Sequence, residues 1–273
     1  MERRRISPRI LIAIIVAVLS VASYYGTRVP NPITQEIQHV SLTVPQEIAL
    51  GLQAAPEMAQ QHGGLHPDDR ARAQVVQIGT RLVSRTAASQ TGYEFDFHLL
   101  ADEDTINAFA LPGGQIFMTE GLRRRLSSES QIAGVLAHEI GHVVARHSAE
   151  HIAKAELTGG LTGAVAIATY DPNDPSSRST AMVAAMIGQV INMRFGRDDE
   201  LESDKLGVRF LSEAGYDPRA MIMVMEVLGE TNRGQGRPPE FFSTHPNPER
   251  RIERIKTAID EQFPNGVPAG LQK

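Results

Sequence analysis

The segment HEIGH, residues 138–142, constrains the fold of this chain more than any other feature. Its two histidines are four residues apart, so on an α-helix both imidazoles leave the same face one turn apart. The positions around it are apolar, namely Ile132, Val135, Leu136 and Val143. Because polar side chains in an apolar interior need partners, the pattern predicts a buried helix whose histidines bind an ion.

The residue types in HEIGH are those of a zinc site. At this spacing the ring nitrogens of His138 and His142 can reach one Zn²⁺ ion at roughly 2.0–2.1 Å. Glu139 lies about 100° further around the helix, close enough to take a proton from a water that the metal activates. We therefore predict one Zn²⁺ per chain, with both histidines as ligands and Glu139 as the base.

A catalytic zinc ion needs a third protein ligand, and this helix does not supply one. A third histidine in the pattern HExxHxxGxxH would need Gly and His where Ala145 and Ser148 stand. The acidic segment RDDELESD offers carboxylates instead: Glu200 and Asp204 share a helix face, whereas Glu202 points elsewhere. We predict Glu200 as the third ligand and Asp204 as the partner that orients a ligand histidine. The alternative is an acidic, solvent-exposed helix face.

A second histidine pair, His147 and His151 in HSAEH, has the same spacing but Ser148 in place of the glutamate. The residues around it are polar or charged, namely Arg146, Glu150 and Lys154. With Ser128 as N-cap, one helix is expected to run past His147. The composition predicts a solvated face there, with His147 outside the metal site.

The rest of the chain predicts further helices and a small sheet. Helices are expected at 46–64, from Pro67 to Ala87, and at 180–215, and strands at 93–102 and 115–119. The expected fold class is α+β, mainly α-helical, with a small β-sheet and two long helices that carry the site.

Two further segments lie between the motif-bearing helices. The small apolar run 157–170 predicts a tightly packed helix or, alternatively, a re-entrant membrane segment, because it is too short to span a bilayer. Residues 171–179, DPNDPSSRS, predict a loop.

The N-terminus carries a membrane-directed signal. Four arginines precede the sixteen uncharged residues Ile10–Tyr25, namely Arg3, Arg4, Arg5 and Arg9. A helix over this run would be about 24 Å long, short of a hydrocarbon core of about 30 Å. We interpret it as an uncleaved anchor with the arginines in the cytoplasm. The alternative is a signal peptide cleaved near SVA, residues 20–22.

The sequence patterns divide the chain into a basic N-terminus 1–9, the apolar segment 10–25, a linker 26–45, a folded domain 46–263 and a tail 264–273.

Composition and charge limit the function classes that this chain can belong to. Its 273 residues, 41% of them hydrophobic, are enough for one substantial core. A net charge of −5 argues against general nucleic-acid binding, and the absence of cysteine excludes disulfides and thiol chemistry.

Four motifs in one order resemble a known family of enzymes. HEIGH is followed about sixty residues later by ELESD, with NAFALPGGQIFMTEGL at 107–122 and FFSTHPNPERRI at 241–252. Together they resemble the zinc metallopeptidases related to HtpX, the mitochondrial OMA protease and the CAAX prenyl proteases, over residues 46–260. The resemblance implies a zincin-like, gluzincin arrangement with the same ligands, base and orienting aspartate.

The resemblance also implies roles for residues that the spacing of the motifs alone does not predict. It places Asn107, Pro112, Gly113 and Gly114 in a turn and edge strand along which an extended peptide binds. It implies that His245 approaches the metal, either to stabilise the oxyanion or to cap the zinc in a latent state. The alternative is a loop histidine before a helix.

The resemblance implies a zinc endopeptidase that cleaves proteins or peptides by Glu139-assisted attack of zinc-bound water. It is expected to be a single-pass protein of the bacterial inner membrane with its catalytic domain in the periplasm, or a soluble periplasmic protein if the signal is cleaved. Misfolded or stalled envelope proteins are the expected substrates. Two alternatives are a largely latent, metal-bound chaperone or scaffold for envelope protein assembly, with His245 blocking the zinc, and a non-peptidase zinc hydrolase.

Overall fold

The computed structural model describes residues 7–169, 194–234, 239–245 and 251–273, without the side chains of 162–169 and 231–234. Its helices α1 to α10 are Pro8–Gly26, Val44–Gln61, Asp69–Arg85, Glu120–Arg123, Glu129–Val144, His147–Thr169, Arg197–Ala214, Ala220–Gly234, Phe241–Thr244 and Arg251–Gln262. Strands β1 to β5 are Arg28–Pro30, Ile37–His39, Asp96–Leu100, Ala108–Ala110 and Gln115–Thr119. The chain divides into two compact units, the first Met1–Thr43 with Ala149–Gln189, the second Val44–Ser148 with Val190–Lys273.

The first unit contains α1, the β1–β2 hairpin and most of α6. Helix α1 is, among the described residues, the one helix long and apolar enough to cross a membrane, with a mean hydropathy of 1.9. Its apolar side chains are largely exposed, as those of a membrane anchor or signal sequence would be. The predicted linker 26–45 contains the antiparallel hairpin, whose His39 ring stacks on Tyr24 with centroids 4.4 Å apart.

The second unit contains a three-stranded sheet in the order β3-β5-β4. Strand β5 lies in the centre, parallel to β3 and antiparallel to β4, so β4 forms one edge. The rings of Phe109 and Phe117 stack across β4 and β5 with centroids 5.0 Å apart. The strands are short, and the fold class α+β, mainly α-helical with a small sheet, is confirmed.

Helix α5 is the core of the second unit, because its residues from Ser130 to Val144 are all buried. The Ser128 hydroxyl caps it by accepting from Gln131 N. Gly141 allows α7 to pack closely on α5, since a Cβ there would stand 3.1 Å from both Cα and O of Ser203. This close crossing brings the acidic residues of α7 against the HEIGH face.

The predicted continuous helix past His147 is wrong, because α5 ends at Val144 and α6 begins at His147. Between them Arg146 has a φ of 57°, a left-handed conformation that ends a helix. Its guanidinium forms a largely buried ion pair with Glu47, which also accepts from the Tyr93 hydroxyl at 2.9 Å. A contact between residues ninety-nine positions apart therefore stabilises the break.

Other element boundaries differ less from the prediction. Pro67 precedes the helix it was expected to start, because Asp68 is the N-cap of α3 and accepts from two backbone amides. The predicted strand 93–102 narrows to β3. Of the helix predicted at 180–215, residues 197–214 form α7, and 180–193 lie outside the described residues, as does the loop predicted at 171–179.

Candidate metal centre

Three separate elements of the second unit place four buried side chains around one point. His138 and His142 come from α5, Glu200 from the first turn of α7, and His245 from the residue after α9. One potential ligand atom of each lies within 4.8 Å of the other three. The Nε2 atoms of the two α5 histidines are 3.1 Å apart, and the Glu200 carboxylate lies 3.5 Å from each.

The residues present fit a zinc ion. Three imidazoles and one carboxylate are the nitrogen and oxygen donors that zinc prefers when cysteine is absent. His245 Nε2 is buried and has no hydrogen-bond partner among the described residues. Buried polar atoms are nearly always paired, so an atom of this kind beside three other donors indicates a cation site.

Glu139 lies beside this group, and it differs from Glu200 and Asp204 in that its carboxylate has no hydrogen-bond partner in the described structure. Both of its carboxylate oxygens are fully buried, and neither forms a hydrogen bond within the described part of the chain. Nε2 of His245 lies 3.6 Å from Oε1 of Glu139. Burial raises the pKa of Glu139, which makes its carboxylate a stronger proton acceptor.

Asp204 and Arg251 support the His138 side of the group. Asp204 Oδ1 lies 3.0 Å from His138 Nδ1, and Arg251 donates to both Asp204 oxygens, at 2.6 and 2.8 Å. Burial lowers the pKa of His138, but hydrogen bonds with Asp204 and Glu200 outweigh it and raise the pKa to about 9. Asp204 thus holds a proton on Nδ1 and leaves Nε2 facing Glu200.

Arg251 also reaches the metal-donor group itself. Its Nη1 lies 2.9 Å from Glu200 Oε2, within ion-pair distance, although the angle is not that of a hydrogen bond. Burial raises the pKa of Glu200, but contacts with His245 and the two α5 histidines hold it well below its usual range. The carboxylate of Glu200 is therefore ionised, as a metal ligand must be.

Two side chains outside the HEIGH motif support His142. The ring of Phe195 stacks on His142 with centroids 3.9 Å apart. His147 Nδ1 lies 2.9 Å from His142 Nδ1, and its Nε2 lies 3.0 Å from Glu202 Oε2. Burial lowers the pKa of His142 well below its usual value, so its ring is neutral.

The prediction of a solvated face at His147 is wrong, since only 1% of its side chain is exposed. Glu202 lies outside the four-donor group that contains Glu200, and its carboxylate contacts His147 instead. The helix break at Arg146 explains the error at His147, because it places His147 on a new helix, behind His142 rather than on an extension of α5.

The residues predicted for substrate binding lie along the sheet, and their contact with peptide stays a prediction. Asn107 is buried just before β4, and its Oδ1 has no hydrogen-bond partner among the described residues. The turn Pro112–Gly114 is packed, since a Cβ at Gly113 would overlap the Ile48 backbone and one at Gly114 would lie 2.9 Å from Glu94 O. These surroundings are those of a structural turn.

The edge of β4 carries main-chain groups that the sheet does not use. Asn107 O accepts from Thr119 N, and Leu111 N donates to Gln115 O. Because hydrogen-bonding sides alternate along an antiparallel strand, the N–H and C=O of Ala108 and Ala110 point to the other side. The edge is thus compatible with an added strand.

Four residues of the site were not assigned to it from the sequence: Arg251, Phe195, His147 and Glu202. Arg251 lies within the quoted motif FFSTHPNPERRI, but it is one of many charged residues in its segment, a composition typical of a solvated helix face. A buried cation cannot be told from exposed ones by spacing, because its burial depends on the acidic residues of another helix.

Comparisons with known proteins agree with this geometry. The pattern that defines "Peptidase family M48" matches residues 69–259, well over half of the chain. A "Beta-barrel assembly-enhancing protease" of Escherichia coli (strain K12) is 34% identical over 192 residues, which cover 68% of this chain and 38% of that protein. The "Mitochondrial metalloendopeptidase OMA1" of Schizosaccharomyces pombe is 32% identical over 184 residues, 67% of this chain and 52% of that protein.

The chain thus spans between a third and about half of the length of these two relatives. The matched region contains α5, α7 and His245, the parts that meet at the metal centre. The resemblance to zinc metallopeptidases and the predicted zinc cofactor are both confirmed by the family match together with the four-donor group. The chain belongs to peptidase family M48.

Proposed function

We propose that this chain is a zinc-dependent endopeptidase in which His138, His142 and Glu200 hold the metal and Glu139 is the catalytic base. The observation that carries the proposal is the buried carboxylate of Glu139, without a hydrogen bond in the described structure and next to a zinc-type donor group. A structural zinc site would need no such carboxylate, since its ligands alone complete the coordination.

Zinc, when bound, supplies a Lewis acid that polarises the scissile carbonyl and lowers the pKa of water. Glu139 accepts one proton from the water that attacks the carbonyl carbon. It then donates that proton to the amide nitrogen as the C–N bond breaks, so the products are a carboxylate and an amine. Asp204 and Arg251 keep His138 and Glu200 in place during these steps.

We propose that β4, which is an edge strand of the sheet in the described part of the chain, binds the substrate as an added strand. Main-chain groups of Ala108 and Ala110 would pair with any extended peptide, which suits an enzyme with substrates of varied sequence. At the start of this edge Ile106 O accepts from Phe241 N, so the segment that carries His245 lies beside the peptide path.

We propose that the protein is anchored in the bacterial inner membrane by α1, with the peptidase domain in the periplasm. The arginines that precede the apolar run Ile10–Tyr25 favour retention of that end in the cytoplasm. Misfolded or stalled envelope proteins are the proposed substrates, and the match to a relative named for enhancing β-barrel assembly supports this location. A soluble periplasmic form after cleavage of the segment is the alternative.

The substitution Glu139→Gln tests the proposed chemistry. It removes the proton acceptor but keeps the size of the side chain, so we expect casein degradation to fall about 10²–10⁴-fold. Metal analysis of the same purified full-length protein should still find one zinc per chain. Unchanged degradation with zinc bound would contradict the endopeptidase mechanism.

A largely latent scaffold is the second candidate, and the position of His245 favours it. His245 belongs to the four-donor group, and its Nδ1 lies 2.9 Å from Glu200 Oε1. A fourth protein ligand would close the position that substrate needs. Under this candidate His245→Ala increases casein degradation, whereas a histidine that stabilises the oxyanion makes the same variant slower by about 10²–10³-fold.

A further inference from the structure

The Nδ1 atoms of the two HEIGH histidines, which face away from the four-donor group, contact different kinds of side chain. His138 Nδ1 meets a carboxylate directly, at 3.0 Å from Asp204. His142 Nδ1 meets another imidazole, that of His147, at 2.9 Å, and the carboxylate of Glu202 stands behind it. A chain of carboxylate, imidazole and imidazole therefore ends at the side of His142 opposite the four-donor group.

The hydrogen-bonding rules of imidazole and carboxylate groups assign the hydrogens among Glu202, His147 and His142. Two Nδ1 atoms 2.9 Å apart form a hydrogen bond only if one carries hydrogen and the other does not. A carboxylate 3.0 Å from His147 Nε2 accepts but cannot donate when ionised, so His147 carries its hydrogen on Nε2. Its Nδ1 is then an acceptor, His142 donates from Nδ1, and the lone pair of His142 lies on Nε2.

The residues around His142 also favour the ring orientation in which Nε2 faces the four-donor group. Phe195 stacks on one face of the ring, and the group of Glu200 and His245 lies at its Nε2 end. His147 is 1% exposed, while 25% of the Glu202 side chain reaches the surface. One helix, α7, thus carries a carboxylate for the metal side of His142 and another for its far side.

We propose that Glu202 and His147 are a positioning pair that sets the tautomer and ring direction of His142 and so determines how tightly the site binds zinc. The proposal rests on the proposed function, in which His142 binds zinc through Nε2. The pair contacts neither the metal ligand atoms nor Glu139 in the described structure, so it acts through His142 alone. Hydrogen-bond partners of ligand histidines typically contribute 10–100-fold in metal affinity.

The test measures zinc affinity by competition with a chelator and the visible spectrum of the cobalt(II)-substituted full-length protein. His147→Leu removes both hydrogen bonds at similar size, and we expect zinc binding to weaken about 10–100-fold with changed cobalt bands. His147→Asn keeps a polar acceptor near the position of Nδ1 and should recover most of the affinity. Glu202→Gln, which removes the charge that fixes the tautomer, should give a smaller loss in the same direction.

Two controls separate the possible results. His151→Leu removes the other histidine of HSAEH and should leave zinc affinity and the cobalt spectrum unchanged. His142→Ala should abolish tight zinc binding; if it does not, the proposed site itself is wrong. If His142→Ala loses zinc while His147→Leu and Glu202→Gln both bind it within twofold of the unaltered protein, only the positioning pair is overturned. Should His147→Leu fail to fold, the partly exposed Glu202 and the asparagine variant decide the question.

Discussion

The two histidine pairs of this chain, His138 with His142 and His147 with His151, have the same spacing and different surroundings. The first pair lies on α5 and faces the carboxylates of α7, and both of its side chains are buried. In the second pair His147 is buried behind His142, while His151 is half-buried. Equal spacing therefore sets only a shared helix face, and the helix packed against that face decides what the histidines do.

The test with the largest expected effect removes the Glu200 carboxylate, which faces the first histidine pair. We expect Glu200→Ala to weaken zinc binding more than about 100-fold. Loss of a hydrogen-bond partner of a ligand typically weakens metal binding about 10–100-fold, and this variant loses a ligand itself. Metal analysis and chelator competition measure it. Glu213→Gln, on the same helix but in an exposed pair with Arg209, is the matched control and should bind zinc normally. Zinc binding by the Glu200 variant equal to that control would remove Glu200 from the ligand set.

A second test removes the buried cation beside Asp204 and Glu200. Arg251→Met leaves the buried carboxylates of Asp204 and Glu200 without their cation, which should cost about 3–5 kcal/mol of folding free energy. Urea unfolding followed by circular dichroism measures the change. Arg254→Met, in the same helix and exposed, should stay within about 0.5 kcal/mol. Equal midpoints for the two variants would show that Arg251 is not buried between these carboxylates.

The smallest expected effect concerns how closely α7 approaches the HEIGH face. Gly141→Ala puts a methyl group about 3.1 Å from the Ser203 backbone, so the helices must separate, at a cost of about 1–3 kcal/mol. Gly134→Ala is the control on the same helix, since its Cβ would meet side chains of α8 no nearer than 3.6 Å. That control should be neutral or up to about 1 kcal/mol more stable, because alanine favours helix. A Gly141 variant as stable as the Gly134 variant would mean that α7 does not depend on this contact.

Local patterns predicted a large part of the fold and of the candidate site. The helix of HEIGH, its Ser128 cap and the helix of Glu200 and Asp204 all follow from periodicity and capping, which depend on neighbouring residues. The structure brings the predicted ligands His138, His142 and Glu200 together with His245, while their roles at the metal stay a prediction. The break at Arg146 could not be predicted, because its ion pair with Glu47 is formed only after folding.

The amino-acid sequence by itself determined the chemistry of this protein: two histidines and a glutamate on one helix, carboxylates on another, and the order of four motifs that indicates a zinc peptidase. These features depend on residue type and on spacing within a helix, which the chain carries without its tertiary structure. Only the tertiary structure decided which polar groups stand behind the ligands. His147, Glu202 and Arg251 look like solvated polar groups along their own helices. They become part of the site because packing of the second unit brings α5, α7, α10 and the first residue of α6 together at one buried point.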